Sequence, residues 1–400
     1  MSADKIVVMG IGYVGLPLAV MLAASGYEVV GVDVDSKVVE SVNNGALDSE
    51  PEIISLLKRE DLTRRFSARE KPCEADVYII SVPTPIDERK RIGDLSYVNA
   101  AARSIVPFLH KGCLVIVEST VPPLTCRETI IPILSESGLT VGEDIYLAHC
   151  PERILPGKVI QEIISNDRVI GGINRQSALM ARDIYNNFVK GQIFVTDDIT
   201  AELIKLIENT YRDVNIALAN EIAAVCSTLG VNVMEAIYLA NQHPRVNVLS
   251  PGIGTGGHCI PVDPWFIKEV DPVNTKLIHT AREINESIPE RIAAEIRKAV
   301  RDIRDPHIVA LGMTYKPGTN DTRNSPALRI IEMLRGEGYT VQAFDPRVAG
   351  REFDSICQVA QNADLLVVLV EHPEIVSELE GSLEAVKNCM RTPRVIRFYR

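Results

Sequence analysis

The 400-residue sequence has no basic excess, no CxxC pair and no long apolar run. A net charge of −11 argues against general nucleic-acid binding, which requires a basic footprint. It still allows an anionic small ligand, because a few amides and Lys or Arg side chains can dominate a cleft. The cysteines stand at 73, 113, 126, 150, 226, 259, 357 and 389, mostly in apolar stretches. Metal ligation and a disulfide framework are both poorly supported, and the seven other than Cys259 read as reduced, mostly buried thiols. No apolar run approaches the ~18 residues of a membrane helix. Met1-Ser2-Ala3-Asp4-Lys5 runs straight into the strand-like Ile6-Val7-Val8-Met9, leaving no room for the regions of a secretion signal. With 46% hydrophobic and 24% charged residues, the expectation is a cytoplasmic globular protein of two or three domains. Neither nucleic acid, membrane nor metal is expected as a partner.

What is present is alternation. Short apolar runs at Lys5–Met9, Glu28–Asp33, Val77–Val82, Leu114–Ser119 and Ile145–His149 are separated by helical patterns such as Leu16–Ser25 and Tyr97–Leu109. That order predicts a mostly parallel, doubly wound sheet. From Thr200 to Leu229 the apolar residues recur at helical spacing until Gly230, which predicts one helix about 45 Å long. A second helical stretch, Thr275–Arg301, follows the Gly/Pro-rich Ser250–Pro264. The α/β pattern then returns, with strands at His307–Met313, Thr340–Phe344 and Leu365–Val370 and a helix at Pro326–Arg335. The two ends echo each other: Lys5–Gly10 with Glu28–Asp33 matches His307–Gly312 with Thr340–Asp345, and Glu74-Ala75-Asp76 matches Asn362-Ala363-Asp364. The fold class is therefore α/β, with two Rossmann-like doubly wound parallel-sheet domains joined by a central helical domain. The domains are read as 1–195, 196–302 and 303–400.

Gly10-Ile11-Gly12-Tyr13-Val14-Gly15 ends the first strand and opens the first helix, and Asp33 follows at the end of the second strand. In that context the glycines form a dinucleotide turn. Gly10 permits the tight turn, Gly12 admits the pyrophosphate and Gly15 allows close helix packing. The helix N-terminus offers unpaired N–H groups to phosphate. Asp33 accepts from the ribose hydroxyls and repels a 2′-phosphate, which selects NAD over NADP. Polar segments at later strand ends, Ser81-Val82-Pro83-Thr84-Pro85, Glu118-Ser119-Thr120 and Cys150-Pro151-Glu152, stand where such sheets bind ligands. Each, taken singly, is also ordinary turn chemistry.

Three further features gain meaning together. Lys205 and Asn209 share one helix face. Gly252-Ile253-Gly254-Thr255-Gly256-Gly257-His258-Cys259 delivers a cysteine from a glycine-rich loop, and Asp263 follows four residues later. The loop lacks the Gly-Lys-Ser/Thr of an ATP-binding loop, so its glycines let backbone wrap a ligand. A nearby lysine favours the nucleophilic thiolate, although Lys205 alone reads as a solvated helix-face residue. His258 is no natural partner for Cys259, since adjacent residues in extended chain point apart. His149, at a strand end, reads as structural.

Gly10–Gly15, Ser119-Thr120-Val121-Pro122, Cys150-Pro151-Glu152-Arg153, Lys205 with Asn209, Gly256–Asp263 and Asp321-Thr322-Arg323 together resemble the nucleotide-sugar 6-dehydrogenases, over nearly the whole chain and in the same order. Cys150–Gly157 with Asn166–Gly172, Arg212–Asn215, His243–Asn247 and Asp263–Phe266 look most like the branch acting on UDP-N-acetylmannosamine. UDP-N-acetylglucosamine and UDP-glucose stand behind it as substrates. The resemblance implies an NAD-binding N-terminal domain, a helical dimerising middle and a C-terminal UDP-sugar-binding domain. It implies a four-electron oxidation of a C6 alcohol to a carboxylate through a Cys259 thiohemiacetal and thioester, consuming two NAD. By the same resemblance Lys205 and Asn209 stabilise oxyanions, Asp263 holds a water or Lys205, Glu152 assists hydrolysis and Thr120 supports that water. Tyr13, Val14, Thr84, Thr120 and Arg323 fall to the cofactor. Glu152, Arg153, Lys205, Asn209, Gly256 and Lys316 fall to the substrate, and Arg245 to the substrate site of a partner subunit. The chain ends Val395-Ile396-Arg397-Phe398-Tyr399-Arg400 where many relatives carry Asp-x-Arg. A β-hydroxyacid dehydrogenase shares the NAD turn and a Lys-x-x-x-Asn helix but needs neither Cys259 nor a second α/β domain. A non-catalytic NAD-binding protein needs none of these chemical residues.

Overall fold

A computed structural model describes residues 5–45, 51–87, 89–154, 157–350 and 352–398. The readings made at Met1–Asp4, at Leu155-Pro156 and at Tyr399-Arg400 lie outside them. The chain falls into two compact units, residues 1–208 with 265–272 and residues 209–264 with 273–400.

In the first unit the strands are β1 Lys5–Met9, β2 Glu28–Val32, β3 Phe66–Arg69, β4 Val77–Ile80, the short hairpin β5 Ile86–Asp87 and β6 Ile92–Gly93, then β7 Leu114–Val117, β8 Tyr146–His149, β9 Arg168–Gly172 and β10 Ile193–Asp197. All but the hairpin form one sheet in the order β10-β9-β8-β7-β4-β1-β2-β3. From β8 to β3 every neighbouring pair is parallel, and β9 runs antiparallel to β8. Alternation along β1 shows how the sheet is covered. Ile6 and Val8 share a core with Leu18 and Leu22 of the helix Gly15–Ala24. Val7 and Met9 share another with Val98 and Ile105 of the helix Ser96–Ile105. With both faces buried, β4 and β7 are continuous apolar runs, as expected of parallel strands between helix layers. The chain reverses direction across the sheet between β1 and β4, and the carboxyl ends of those strands are where doubly wound sheets receive ligands.

In the second unit β11 His307–Leu311, β12 Thr340–Phe344, β13 Leu365–Val368 and β14 Arg394–Arg397 form a parallel sheet in the order β12-β11-β13-β14. Helices Lys276–Val300 and Pro326–Gly336 cover one face, and Ile356–Val359 with Pro373–Cys389 cover the other. The long helix runs Asp198–Leu229 and stops at Gly230, whose φ of 70° is a left-handed terminator.

The echo between the two ends is physical. Asp76 accepts from the Lys5 N–H at 3.0 Å, and Asp364 accepts from the His307 N–H at 2.9 Å. Each aspartate thus caps the entry to the first strand of its sheet. After that strand, Gly10 donates to Val32 O at 2.7 Å and Gly312 to Phe344 O at 2.8 Å, both with φ of 87°.

Candidate active site

The turn after β1 fits a dinucleotide. A Cβ on Gly10 would lie 2.5 Å from Ser81 O, and one on Gly15 would lie 1.9 Å from Gly10 O, so both positions exclude side chains. A Cβ on Gly12 would meet nothing, which leaves that backbone open to a close ligand. No side chain caps the Gly15–Ala24 helix, so the positive end of its dipole faces an anion uncovered. Asp33 Oδ2 accepts from Ile11 N–H at 3.2 Å and Oδ1 from Asp35 N–H at 3.0 Å. Those bonds fix the carboxylate at the end of β2. Tyr13 is exposed, while Val14, Thr84 and Thr120 are half-buried. Ser119 ties the ends of β4 and β7 together, accepting from Val82 N–H at 2.9 Å and donating to Val82 O at 2.7 Å.

Beside these strand ends the first unit buries a charge cluster that the sequence reading had not assembled. Arg168, at the start of β9, pairs with Glu118 at 3.3 Å and with Glu152 at 2.9 Å. Tyr185 donates to the same Glu118 oxygen at 2.9 Å, and its ring lies 4.8 Å from the guanidinium. One cation thus serves two carboxylates, and the second Glu118 oxygen has no partner. Burial, with the Glu152 charge adding to it, pushes the Glu118 carboxyl up to about 8, against the pull of Arg168. Glu152 itself is fully engaged: its other oxygen accepts from Arg153 N–H at 2.6 Å. The Arg153 guanidinium, expected to bind substrate, pairs with Glu208 at 2.5 Å and donates to Asp167 O at 3.2 Å.

In the second unit the glycine-rich segment is fastened to the sheet that follows it. A Cβ on Gly256 would lie 2.7 Å from Asn324 O, Pro326 Cδ and Tyr315 Cβ. Gly257 has φ of 83°, donates to Arg323 O at 3.1 Å and accepts from Asn324 Nδ2 at 3.0 Å. Arg282, nearly inaccessible, holds Thr255 at 2.9 Å and Asp213 at 2.6 Å, and Asn285 donates to the same Asp213 oxygen at 2.9 Å. Burial nevertheless raises the Asp213 carboxyl, opposed by Arg282. The half-buried Cys259 closes the segment, and its carbonyl accepts from Val262 N–H at 3.0 Å and Asp263 N–H at 2.9 Å. That turn starts the helix Asp263–Val270. The buried Asp263 carboxylate accepts from the Asn209 amide, and Arg212 donates to the Asn209 carbonyl. Cys259, Asp263 and Asn209 are thereby brought together.

Arg323 and Tyr315 lie within electrostatic reach of Cys259. Arg323 is gripped by Asp321, with Nη2–Oδ2 at 2.7 Å and Nε–Oδ1 at 3.0 Å, and this raises its pKa. Lys316 Nζ sits 5.5 Å from the Tyr315 ring. Lys205 is half-buried one helical turn before Asn209, and Arg245 is exposed in the turn after the helix Val233–Ala240. Tyr315 was not singled out from the sequence, and neither were two buried groups at the carboxyl ends of β12 and β13. His372 Nε2 is 3.1 Å from Asp345 Oδ2 and 2.8 Å from Thr314 Oγ1. Asp345 also accepts from Met313 N–H at 2.6 Å. The match of Asp345 to Asp33 in the internal echo could have flagged the first of these. Of the seven thiols expected to be mostly buried, Cys113, Cys126, Cys150 and Cys226 are buried, while Cys73, Cys357 and Cys389 are half-buried. Among the described residues no group of three or more His, Cys, Asp or Glu could hold a metal, and no helix is long and apolar enough to cross a membrane.

A dinucleotide turn on one doubly wound sheet, and a cysteine loop fastened to a second, define a nucleotide-dependent dehydrogenase. The NAD binding domain of the UDP-glucose/GDP-mannose dehydrogenase family matches residues 4–189, its central domain 199–287 and its UDP binding domain 309–399. The chain belongs to that family: it is an oxidoreductase, and its cofactor is NAD. It is 46% identical over 376 residues to a UDP-N-acetyl-D-mannosamine dehydrogenase of Methanococcus maripaludis, covering 92% of this chain and 86% of that one. Among solved structures, a UDP-D-ManNAc dehydrogenase from Pyrococcus horikoshii is similar with a TM-score of 0.92 and 43% identity, covering 98% of this chain and 94% of that one. The UDP-N-acetyl-mannosamine dehydrogenase Cap5O from S. aureus is similar with a TM-score of 0.90 and 41% identity over the same shares.

The Glu118 cluster sets a pH dependence. A carboxyl raised in the folded state binds its proton more tightly there than in the unfolded chain. Its contribution to stability is therefore complete below the unfolded value near 4.3 and is lost as pH rises towards about 8. Relative to Glu118→Gln, wild-type stability should fall between about pH 5 and pH 8, by at most about 1.4 kcal/mol per pH unit. Urea unfolding of both proteins across that range measures it; parallel curves would contradict the assignment.

Proposed function

We propose that the chain oxidises the C6 alcohol of UDP-N-acetyl-D-mannosamine to the carboxylate of UDP-N-acetyl-D-mannosaminuronate, with Cys259 as covalent nucleophile. The sugar rests on the relatives, which are named for it. The mechanism rests on one observation above the others: the backbone of Cys259 and the buried Asn209–Asp263 pair are tied into one turn. NAD, taken up twice, supplies a hydride acceptor at each stage, so that R–CH2OH + 2 NAD+ + H2O gives R–COO− + 2 NADH + 3 H+.

Lys205 and Asn209 stabilise the oxyanion formed as the alcohol loses its proton, each donor contributing about 3–4 kcal/mol in comparable sites. The Cys259 thiolate then adds to the aldehyde carbon. Oxidation of that thiohemiacetal leaves a thioester, and attack by water breaks the C–S bond and restores the thiol. Glu152, held by Arg168, accepts the proton of that water, Thr120 supports it, and Asp263 fixes the Asn209 amide and holds a water or Lys205 for proton transfer. Gly10, Gly12, Tyr13, Val14, Gly15, Asp33, Thr84 and Arg323 serve NAD. Arg153, Gly256 and Lys316 serve the sugar nucleotide. The functional division follows 1–195 for NAD, 196–302 for the helical middle and 303–400 for the UDP-sugar, in a cytoplasmic enzyme.

The helical middle also dimerises. Tyr211, Leu218, Val225 and Leu229 are exposed at intervals of seven, seven and four along the long helix, with Leu229 70% accessible. A stripe of that period is a helix-pairing seam, and uncovered it would be an aggregation hazard. Arg245 then reaches the substrate site of the second copy. Leu218→Glu with Val225→Glu should convert the dimer to a monomer in sedimentation; an unchanged mass would remove this seam from the account.

For the reaction itself, each UDP-N-acetylmannosamine consumed should yield two NADH, with little from UDP-N-acetylglucosamine or UDP-glucose. Cys259→Ala should lower acid formation by more than about 1000-fold, as loss of a covalent nucleophile does elsewhere. One NADH per sugar, or acid released at the normal rate without the thiol, would sink the thioester route.

A further inference from the structure

The C-terminal domain carries a second sulfur chemistry, apart from Cys259. Cys357 lies in the short helix Ile356–Val359, and Cys389 is the last residue of the helix Pro373–Cys389. Their sulfurs are 2.7 Å apart. Both are half-buried, so a small reagent can reach them. The approach is built into the packing of this layer. Ile356, Val359, Leu379, Val386 and Met390 form one buried cluster against the sheet, with Cys357 packed on it. Two further bonds hold the helices in register. Ile356 N–H donates to Glu378 Oε1 at 2.6 Å, and Asn362 N–H donates to Cys389 O at 2.9 Å. The thiols therefore meet without any rearrangement, as a covalent bond of specific geometry requires.

We propose that Cys357 and Cys389 form a reversible intramolecular disulfide when the protein meets an oxidised thiol of the glutathione class. One thiolate attacks the reagent disulfide and releases one reagent thiol, and the second attacks the resulting mixed disulfide and releases the other. Two electrons pass to the reagent, both protein S–H bonds are lost, and two reagent thiols are formed. The loop closed between 357 and 389 contains all of β13, so the cross-link restrains the unfolded chain and stabilises this layer. Cys357 and Cys389 precede β13 and β14, at the amino ends of strands in a parallel sheet whose carboxyl ends carry Asp345, after β12, and His372, after β13. The bond is accordingly a structural lock and leaves turnover unchanged.

The test uses the full-length enzyme, incubated with oxidised glutathione at about pH 8.5, where a free thiol is half ionised, then alkylated and digested with trypsin without reduction. No Lys or Arg lies between Arg351 and Lys387, and the next peptide ends at Arg391. The disulfide therefore joins peptide 352–387 to peptide 388–391, a species that reductant separates. Its formation, together with a melting temperature about 5–10 °C higher than that of the reduced enzyme, is the expected result. Cys357→Ala and Cys389→Ala should each abolish both the linked peptide and the shift while keeping wild-type turnover. Two separately alkylated or glutathionylated peptides in the wild type, with no linked species, would overturn the proposal.

Discussion

Everything proposed for Cys259 depends on a backbone contact that only glycine permits. At Gly256 the chain passes so close to Tyr315, Asn324 and Pro326 that a methyl group would overlap all three, an overpacking of the kind that costs about 1–3 kcal/mol. At Gly257 the left-handed backbone donates to Arg323 O while Asn324 reaches back to its carbonyl. These contacts fix the exit direction of the loop. Two residues on, Cys259 emerges with its carbonyl already committed to the start of the next helix. Loop, cysteine and Asp263 therefore move as one piece with the residues that precede the Pro326–Gly336 helix.

Charge is arranged with similar economy. In both units a buried arginine is shared: Arg168 between Glu118 and Glu152, and Arg282 between Asp213 and Thr255. A buried carboxylate deprived of its cation costs about 3–5 kcal/mol, so these arginines are strong determinants of local structure even where the pairs add little net stability. The two sites differ in outcome. Arg282, with Asn285, steadies the glycine loop. Arg168 is asked to neutralise two acids and lacks the charge to do so, and the deeper acid, Glu118, retains its proton into the neutral range. That leaves the guanidinium to Glu152, the acid at the mouth of the strand.

The sheet centres and the nucleotide turn were legible because parallel strands buried on both faces are continuous apolar runs and because the glycine spacing has a steric cause. The strands that escaped notice explain themselves. β9 begins with a buried arginine and ends in two glycines, β10 is a largely exposed edge, and β3 is four residues with arginine at its end. None carries the pattern on which recognition rests. The Asn209–Asp263 bond spans 54 positions, and the Glu118–Arg168–Glu152 cluster joins three strand ends. Such meetings are set by topology and leave no local trace. Asp33 and Asp345 show the intermediate case: the internal echo pointed to both, and both accept from the turn after the first strand of their sheet.

The central claim is a covalent bond between substrate carbon and Cys259. Glu152→Gln, mixed with NAD and UDP-N-acetylmannosamine and quenched in acid, should accumulate the thioester because hydrolysis is slowed after oxidation is complete. Mass analysis of the Cys259 peptide should then show the mass of the oxidised sugar nucleotide, discharged by hydroxylamine. Steady release of acid with an unmodified Cys259 peptide at every time point would contradict the account.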